Sequence, residues 1–200
     1  MNLYNKYILP HLINSVMRKK NKKKERTHVG QALGVVLEVG FGSGLNTPFY
    51  KKIEKLFALD TSKELYKIAN SQIKSFNFPI EFIQGSAEKI PLGDEIVDCV
   101  VSTWTLCSIP HPKIALMEIA RVLKNNGKFI FIEHGESTNK NEAMTQKWLT
   151  PVWSKIAGGC HLNREIDRLI TEAGFKILNI EKKKVGLLNF MYKGVAIIKQ

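Results

Sequence analysis

Two hundred residues, 44% apolar and 24% charged, have the size and composition of one folded domain with its own core. No apolar run approaches the roughly 20 residues of a membrane-spanning helix, and Pro10 and His11 break the short apolar patch of the opening MNLYNKYILPH, so this stretch is not expected to be a signal peptide. Three widely spaced cysteines (Cys99, Cys107, Cys160) argue against a disulfide framework and against a zinc site, so a reducing cytoplasm is the expected compartment and no metal is expected.

The net charge is +12, and Arg18 to Arg26 (RKKNKKKER) supplies +6 of it with seven basic residues and one acid. Such a tract suits weak association with an anionic membrane surface, or it is a solvated linker. Few aromatics interleave with the lysines, which speaks against nucleic acid as a partner. Before the tract, residues 3–20 read as a helical arm, with Leu12, Ile13, Val16 and Met17 at helical spacing and Pro10 in a first-turn position. Residues 1–34 are thus expected to form an arm and basic linker, and residues 35–200 the main domain.

Val35, Val36, Leu37 and Val39 form a short apolar strand interrupted by Glu38, and Gly40, Gly42 and Gly44 follow at alternate positions before a turn into a helix. Alternating glycines let a ligand press against backbone and allow the positive φ of a tight turn. The dinucleotide fingerprint G-x-G-x-x-G fails, because its third glycine falls on Leu45 or Thr47. The second strand, KLFALD, closes on Asp60, twenty residues after Gly40, the separation at which a strand-end carboxylate meets ribose hydroxyls. The alternative reading of Asp60 is a cap on the following helix, a task Thr61 and Ser62 can share.

Residues 62–76 read as a helix with one buried face, and residues 79–84 as a third strand followed by Gly85-Ser86-Ala87. Residues 96–101 are a nearly continuous apolar strand, as a central parallel strand covered on both faces should be, and it delivers Thr103, Trp104, Thr105 and Cys107 to the ligand-binding edge. A helix over 112–123, stopped by Asn125-Asn126-Gly127, leads to a fifth strand, 128–133, that ends in Glu133-His134-Gly135. Around Pro151, Trp148 and Trp153 make residues 141–161 either a lid over an apolar substrate pocket or a packing helix with core tryptophans. A helix over 163–173 and strands over 175–181 and 190–198 close the chain.

The pattern Glu38-x-Gly40-x-Gly42-x-Gly44 resembles the first motif of class I S-adenosylmethionine-dependent methyltransferases, and the element order resembles their fold over nearly the whole chain. The closer resemblance is to the type 11 group, especially a bacterial set related to the animal alkyl-thiol methyltransferases. It is carried by LYNKYILPHL at Leu3 to Leu12, TWTLCSIP at Thr103 to Pro110, IEHGES at Ile132 to Ser137 and WLTPVWSKIAGGCHLNR at Trp148 to Arg164. The resemblance implies a Rossmann-like α/β fold: a seven-stranded, mostly parallel sheet with the last strand antiparallel and helices on both faces. It also implies S-adenosyl-L-methionine as cofactor, with S-adenosyl-L-homocysteine as product. The residues it places at the cofactor are Glu38, Gly40, Phe41, Gly42, Ser43, Gly44, Asn46, Asp60, Thr61, Ser62, Gly85, Ser86, Ala87, Thr103 and Thr105. Where many relatives carry an Asp that bonds the adenine amine, this chain has Ser86. Tyr4 and Tyr7 are expected to help the arm fold over the cofactor. The animal relatives' hydrophobic N-terminal anchor has no counterpart in this sequence.

Methyl transfer from a sulfonium is an in-line displacement in which the protein mainly aligns and desolvates. For a thiol, phenol or protonated amine a base helps, and His134, then His161, are the candidate catalytic residues; a lone histidine is more often a satisfied structural group. Cys107 and Cys160 lack the paired context of a covalent mechanism and read as packing residues. The expected acceptor is a small apolar or amphipathic molecule (thiol, phenol, amine or quinone-like). The alternatives are a phospholipid or RNA methyltransferase, or a protein that binds the cofactor without catalysis. The Asp/Asn-Pro-Pro-aromatic motif of amino-group nucleic-acid enzymes is absent where STWTL stands.

Overall fold

The computed structural model describes residues 9–73, 76–186 and 189–199. Helices α1 (Leu9–Met17) and α2 (Lys20–Arg26) precede β1 (Leu33–Val39), β2 (Lys52–Asp60), α3 (Lys63–Ile73), β3 (Ile80–Gln84) and β4 (Val97–Thr103). Then come α4 (Pro112–Val122), β5 (Leu123–Gly135), α5 (Lys140–Ile156), α6 (Ile166–Glu172), β6 (Phe175–Lys184) and β7 (Phe190–Ile198). The strands form one sheet in the order β3-β2-β1-β4-β5-β7-β6. β1 to β5 pair in parallel, and β7 lies antiparallel between β5 and β6.

The central strands read as unbroken apolar runs because both faces of the sheet are covered. Leu37, Val39, Val100, Phe129 and Phe131 pack with Leu116 and Ile119 of α4 and Ile166 and Ile170 of α6. Their neighbours Val36, Val101, Ile130 and Ile132 face the other way, toward Val29, Phe41, Tyr50 and Ala69. This alternation fixes which strand ends can reach a common edge.

Four local expectations are corrected. The glycine turn leads to a three-residue 3-10 turn, Thr47–Phe49 with Pro48 in it, because only seven residues separate Gly44 from β2. The basic tract is helix α2, not an extended linker, and its Arg26 is buried. Asn125, Asn126 and Gly127 lie within β5, where a register shift against β4 absorbs them. Residues 141–161 are chiefly helix α5, whose tryptophans are no core anchors: Trp148 is 80% exposed and Trp153 41%. Among the described residues, no helix is long and apolar enough to cross a membrane.

Candidate active site

The parallel strands end together at one edge, where open α/β sheets hold their ligands, and a cavity of about 360 Å³ opens there. Its floor is the glycine turn. Gly40, Gly42 and Gly44 have φ of +73°, +59° and +74°, values that L side chains rarely adopt. A Cβ on Gly40 would lie 2.1 Å from Thr105 Oγ1. The turn is tied to β2: the N–H groups of Gly40 and Phe41 donate to the Leu59 carbonyl (2.9 and 3.0 Å), and the Gly42 N–H donates to Asp60 Oδ2 at 2.7 Å. Asp60 Oδ1 accepts from the Ser62 N–H at 2.7 Å. Asp60 thus anchors the glycine turn and the start of α3, and it also lines the cavity. Burial raises its pKa against those backbone donors.

Glu38, 1% exposed, is the centre of a buried polar network. Asn46 Nδ2 donates to Glu38 Oε1 (2.7 Å) and to Thr103 Oγ1 (2.9 Å), and the Tyr50 hydroxyl donates to Glu38 Oε2 (2.7 Å). Arg26 Nη1 donates to Asn46 Oδ1. Burial pushes Glu38 up to about 7, opposed by the Tyr50 and Asn46 hydrogen bonds and the Arg26 charge, and burial lowers Arg26 to about 10. At the end of β5, buried Glu133 accepts from the Ser102 hydroxyl (2.6 Å) and the Thr105 N–H (2.9 Å), which fixes the turn after β4. Desolvation raises it, too, to about 7.

Thirteen of the fifteen expected cofactor residues line the cavity: Glu38, Gly40, Phe41, Gly42, Ser43, Asp60, Thr61, Ser62, Gly85, Ser86, Ala87, Thr103 and Thr105. Gly44 and Asn46 stand behind the wall, where Gly44 lets Phe41 and Ala69 close in and Asn46 links Arg26 to Glu38. Neither His134 nor His161 lines the cavity. His134 Nδ1 instead lies 3.3 Å from Cys160 Sγ, and His161 Nδ1 lies 2.7 Å from the Gly159 carbonyl oxygen. Tyr4 and Tyr7 fall outside the described residues.

Several groups at or beside the wall come from the N-terminal helices. Arg26 and Lys22 place their cations 4.8 and 4.4 Å from the Trp104 ring centroid, and Trp104 itself has φ of +51°. From α1, Leu9, Asn14 and Met17 reach the cavity, and the Ser43 hydroxyl donates to Asn14 Oδ1 at 2.7 Å. Cys107 and Cys160, expected as unrelated packing residues, have their sulfurs 3.6 Å apart. Sequence separation misleads here because the turn after α5 docks on the turn after β4, where the His161 N–H donates to the Cys107 carbonyl at 2.8 Å.

A strand–glycine turn–strand unit with a carboxylate at each strand end, on a sheet with one antiparallel strand next to its edge, defines the class I methyltransferase architecture. The family described as "Methyltransferase domain" matches residues 37–131. The chain is 30% identical over 193 residues to human thiol S-methyltransferase TMT1B, covering 89% of this chain and 79% of that protein. It is 35% identical over 150 residues to the rat protein of the same name, covering 73% of this chain and 62% of the relative. Phosphatidylethanolamine N-methyltransferase of Cereibacter sphaeroides is 26% identical over 159 residues, with 78% and 77% coverage. A solved SAM-dependent methyltransferase from Methanosarcina mazei shares the fold, with a TM-score of 0.69 and 20% identity over 84% of this chain and 94% of that one. The chain belongs to the S-adenosylmethionine-dependent methyltransferases of the type 11 group. Its match spans less than two thirds of the rat relative's length.

Proposed function

We propose that the chain transfers the methyl group of S-adenosylmethionine to a small thiol. The observation that supports the cofactor part is Gly42: an added Cβ there meets nothing closer than 3.9 Å, so the space above this turn is open to a ligand. The cofactor would supply an electrophilic methyl on a good leaving group. Glu38 and Arg26, of opposite charge at one part of the wall, suit the ammonium and carboxylate of its amino-acid end. Asp60 keeps lone pairs for a ribose diol, while Ser86 and Ala87 stand on the base side. Trp104, Ile109 and Pro110 give the remaining wall an apolar character suited to a small acceptor. No proton transfer is assigned to His134 or His161, since neither lines the cavity. The thiol class is supported by the relatives' activity, and the residues present align and desolvate.

A second reading, work against a lipid surface, is favoured by α5. Met144, Trp148, Val152 and Ile156 recur every fourth residue and are 63%, 80%, 65% and 54% exposed, with Lys140, Lys147 and Lys155 on the same helix. Exposed Arg18, Lys19, Lys23 and Lys24 add positive charge. One assay separates the readings: methyl-labelled cofactor offered with a small alkyl thiol, a phenol, or vesicles of phosphatidylethanolamine and anionic lipid. Label in the thiol is the expected result. Label in the lipid alone transfers the assignment to the second reading, and label in no acceptor removes both.

Glu38 also sets a pH dependence. In the free protein its pKa is about 7, and a ligand ammonium beside it favours the carboxylate, so binding releases a proton. Affinity for S-adenosylhomocysteine should therefore rise as pH rises through 7, by roughly tenfold between pH 6 and 8. Calorimetric titration at the two pH values checks this, and Glu38→Gln should flatten the dependence.

A further inference from the structure

We propose that Cys107, Cys160 and His134 form a binding site for one soft divalent cation of the zinc class. The three donor atoms lie within 4.8 Å of one another. They come from three separate elements: the turn after β4, the end of β5 and the turn after α5. A tetrahedral ion with metal–sulfur bonds of ~2.3 Å and a metal–nitrogen bond of ~2.0 Å needs sulfurs ~3.8 Å apart and sulfur–nitrogen pairs ~3.5 Å apart. The sulfurs stand 3.6 Å apart, and Cys160 Sγ lies 3.3 Å from His134 Nδ1. The third pair, Cys107 Sγ and His134, lies within 4.8 Å, so an ion would draw those two groups closer by up to about 1.3 Å (4.8 less ~3.5).

The surroundings favour coordination over packing. His134 is 8% exposed, its Nδ1 faces a sulfur, and its Nε2 is buried with no hydrogen-bond partner. The nitrogen that would coordinate is Nδ1, whose hydrogen-bond partner is a sulfur rather than the oxygen acceptor most buried imidazoles have; Nε2 stays unpartnered on coordination. Two thiolates and a neutral imidazole neutralise a divalent ion. The ligand turn is held in place before any ion arrives. Gly158 and Gly159 adopt φ of +63° and +87°, the Arg164 guanidinium donates to the Leu106 carbonyl, and a Cβ on Gly159 would crowd the Ser108 carbonyl at 3.1 Å. Three protein ligands leave a fourth tetrahedral position, the pattern of open rather than closed zinc sites. Cys107 adjoins Ser108 and Cys160 lies two residues after Gly158, and both Ser108 and Gly158 line the cavity.

The test is cobalt(II) and zinc(II) binding to the full chain, prepared with a reductant and without chelator. The expected result is one ion per chain, a sulfur-to-cobalt charge-transfer band, and displacement of cobalt by zinc. Cys107→Ser and Cys160→Ser should each abolish the band, and His134→Ala should weaken binding by more than the roughly 10–100-fold cost of a lost outer-shell partner. Cys99→Ser, remote from the cluster in the sheet core, should leave stoichiometry and spectrum unchanged. Melting curves followed by circular dichroism verify that each variant is folded. No band in the wild type, or a band that survives Cys160→Ser, overturns the proposal; so does recovery of a Cys107–Cys160 disulfide from metal-free protein that binds neither ion once reduced. The readout is metal binding, so it stands or falls separately from S-adenosylhomocysteine binding.

Discussion

Gly40→Ala should lower affinity for S-adenosylhomocysteine by at least about 100-fold, the largest effect expected of any single methyl group in the chain. Two costs combine. The residue sits at φ +73°, where a side chain costs ~1–3 kcal/mol. The new Cβ also falls 2.1 Å from Thr105 Oγ1 and 2.5 Å from its Cγ2, which forces the turn or Thr105 to move at a further ~1–3 kcal/mol. At ~1.4 kcal/mol per factor of ten, the sum displaces the cavity floor by two decades or more of affinity. Adding Thr105→Gly to Gly40→Ala removes the steric part and leaves the backbone strain, so the double variant should recover only part of the loss. Calorimetric titration of the three proteins checks this; wild-type affinity in Gly40→Ala would show that the turn does not meet the ligand.

Arg26→Ala should cost ~1–3 kcal/mol of stability, the range for leaving a buried acceptor without its donor. Arg26 is 5% exposed, donates to Asn46 and stacks over Trp104, and its charge opposes the burial penalty on Glu38. Its loss leaves Asn46 Oδ1 without its donor and Glu38 without its compensating cation. For a chain of this size the melting midpoint should fall by about 5 °C. Exposed Lys24, two residues away, provides the control: Lys24→Ala should stay within about 0.5 kcal/mol of the wild type. Equal melting curves for Arg26→Ala and Lys24→Ala would mean that the tract is only a solvated surface.

What was legible in the sequence follows from which interactions are local. The glycine turn, Asp60 at its twenty-residue separation and the apolar strand runs are set by neighbouring residues or by the period of a strand, and each lies where spacing puts it. Arg26 was not legible, because a run of seven basic residues reads as solvated and only the turn of α2 toward Trp104 buries one of them. Glu133 gave a partial signal, a carboxylate closing an apolar strand, but its hold on the Thr105 turn is a tertiary contact. The Cys107–Cys160–His134 group carries no spacing motif at all, since it exists only once α5 returns its glycine turn to the end of β4. Trp148 shows the reverse case: an aromatic at helical spacing suggests a core, and the helix presents it to solvent instead.

The most direct measurement of the central claim, that the edge bounded by Gly40 and Asp60 is the cofactor site, is calorimetric titration of the wild type and an Asp60→Ala variant with S-adenosylhomocysteine. Asp60 holds the Gly42 and Ser62 N–H groups and lines the cavity. Losing a charge-assisted hydrogen bond worth ~1.5–3 kcal/mol should weaken binding by roughly 10–100-fold. The account predicts one bound molecule per wild-type chain and that loss in the variant. A wild type that binds none, or a variant that binds as tightly as the wild type, would contradict it.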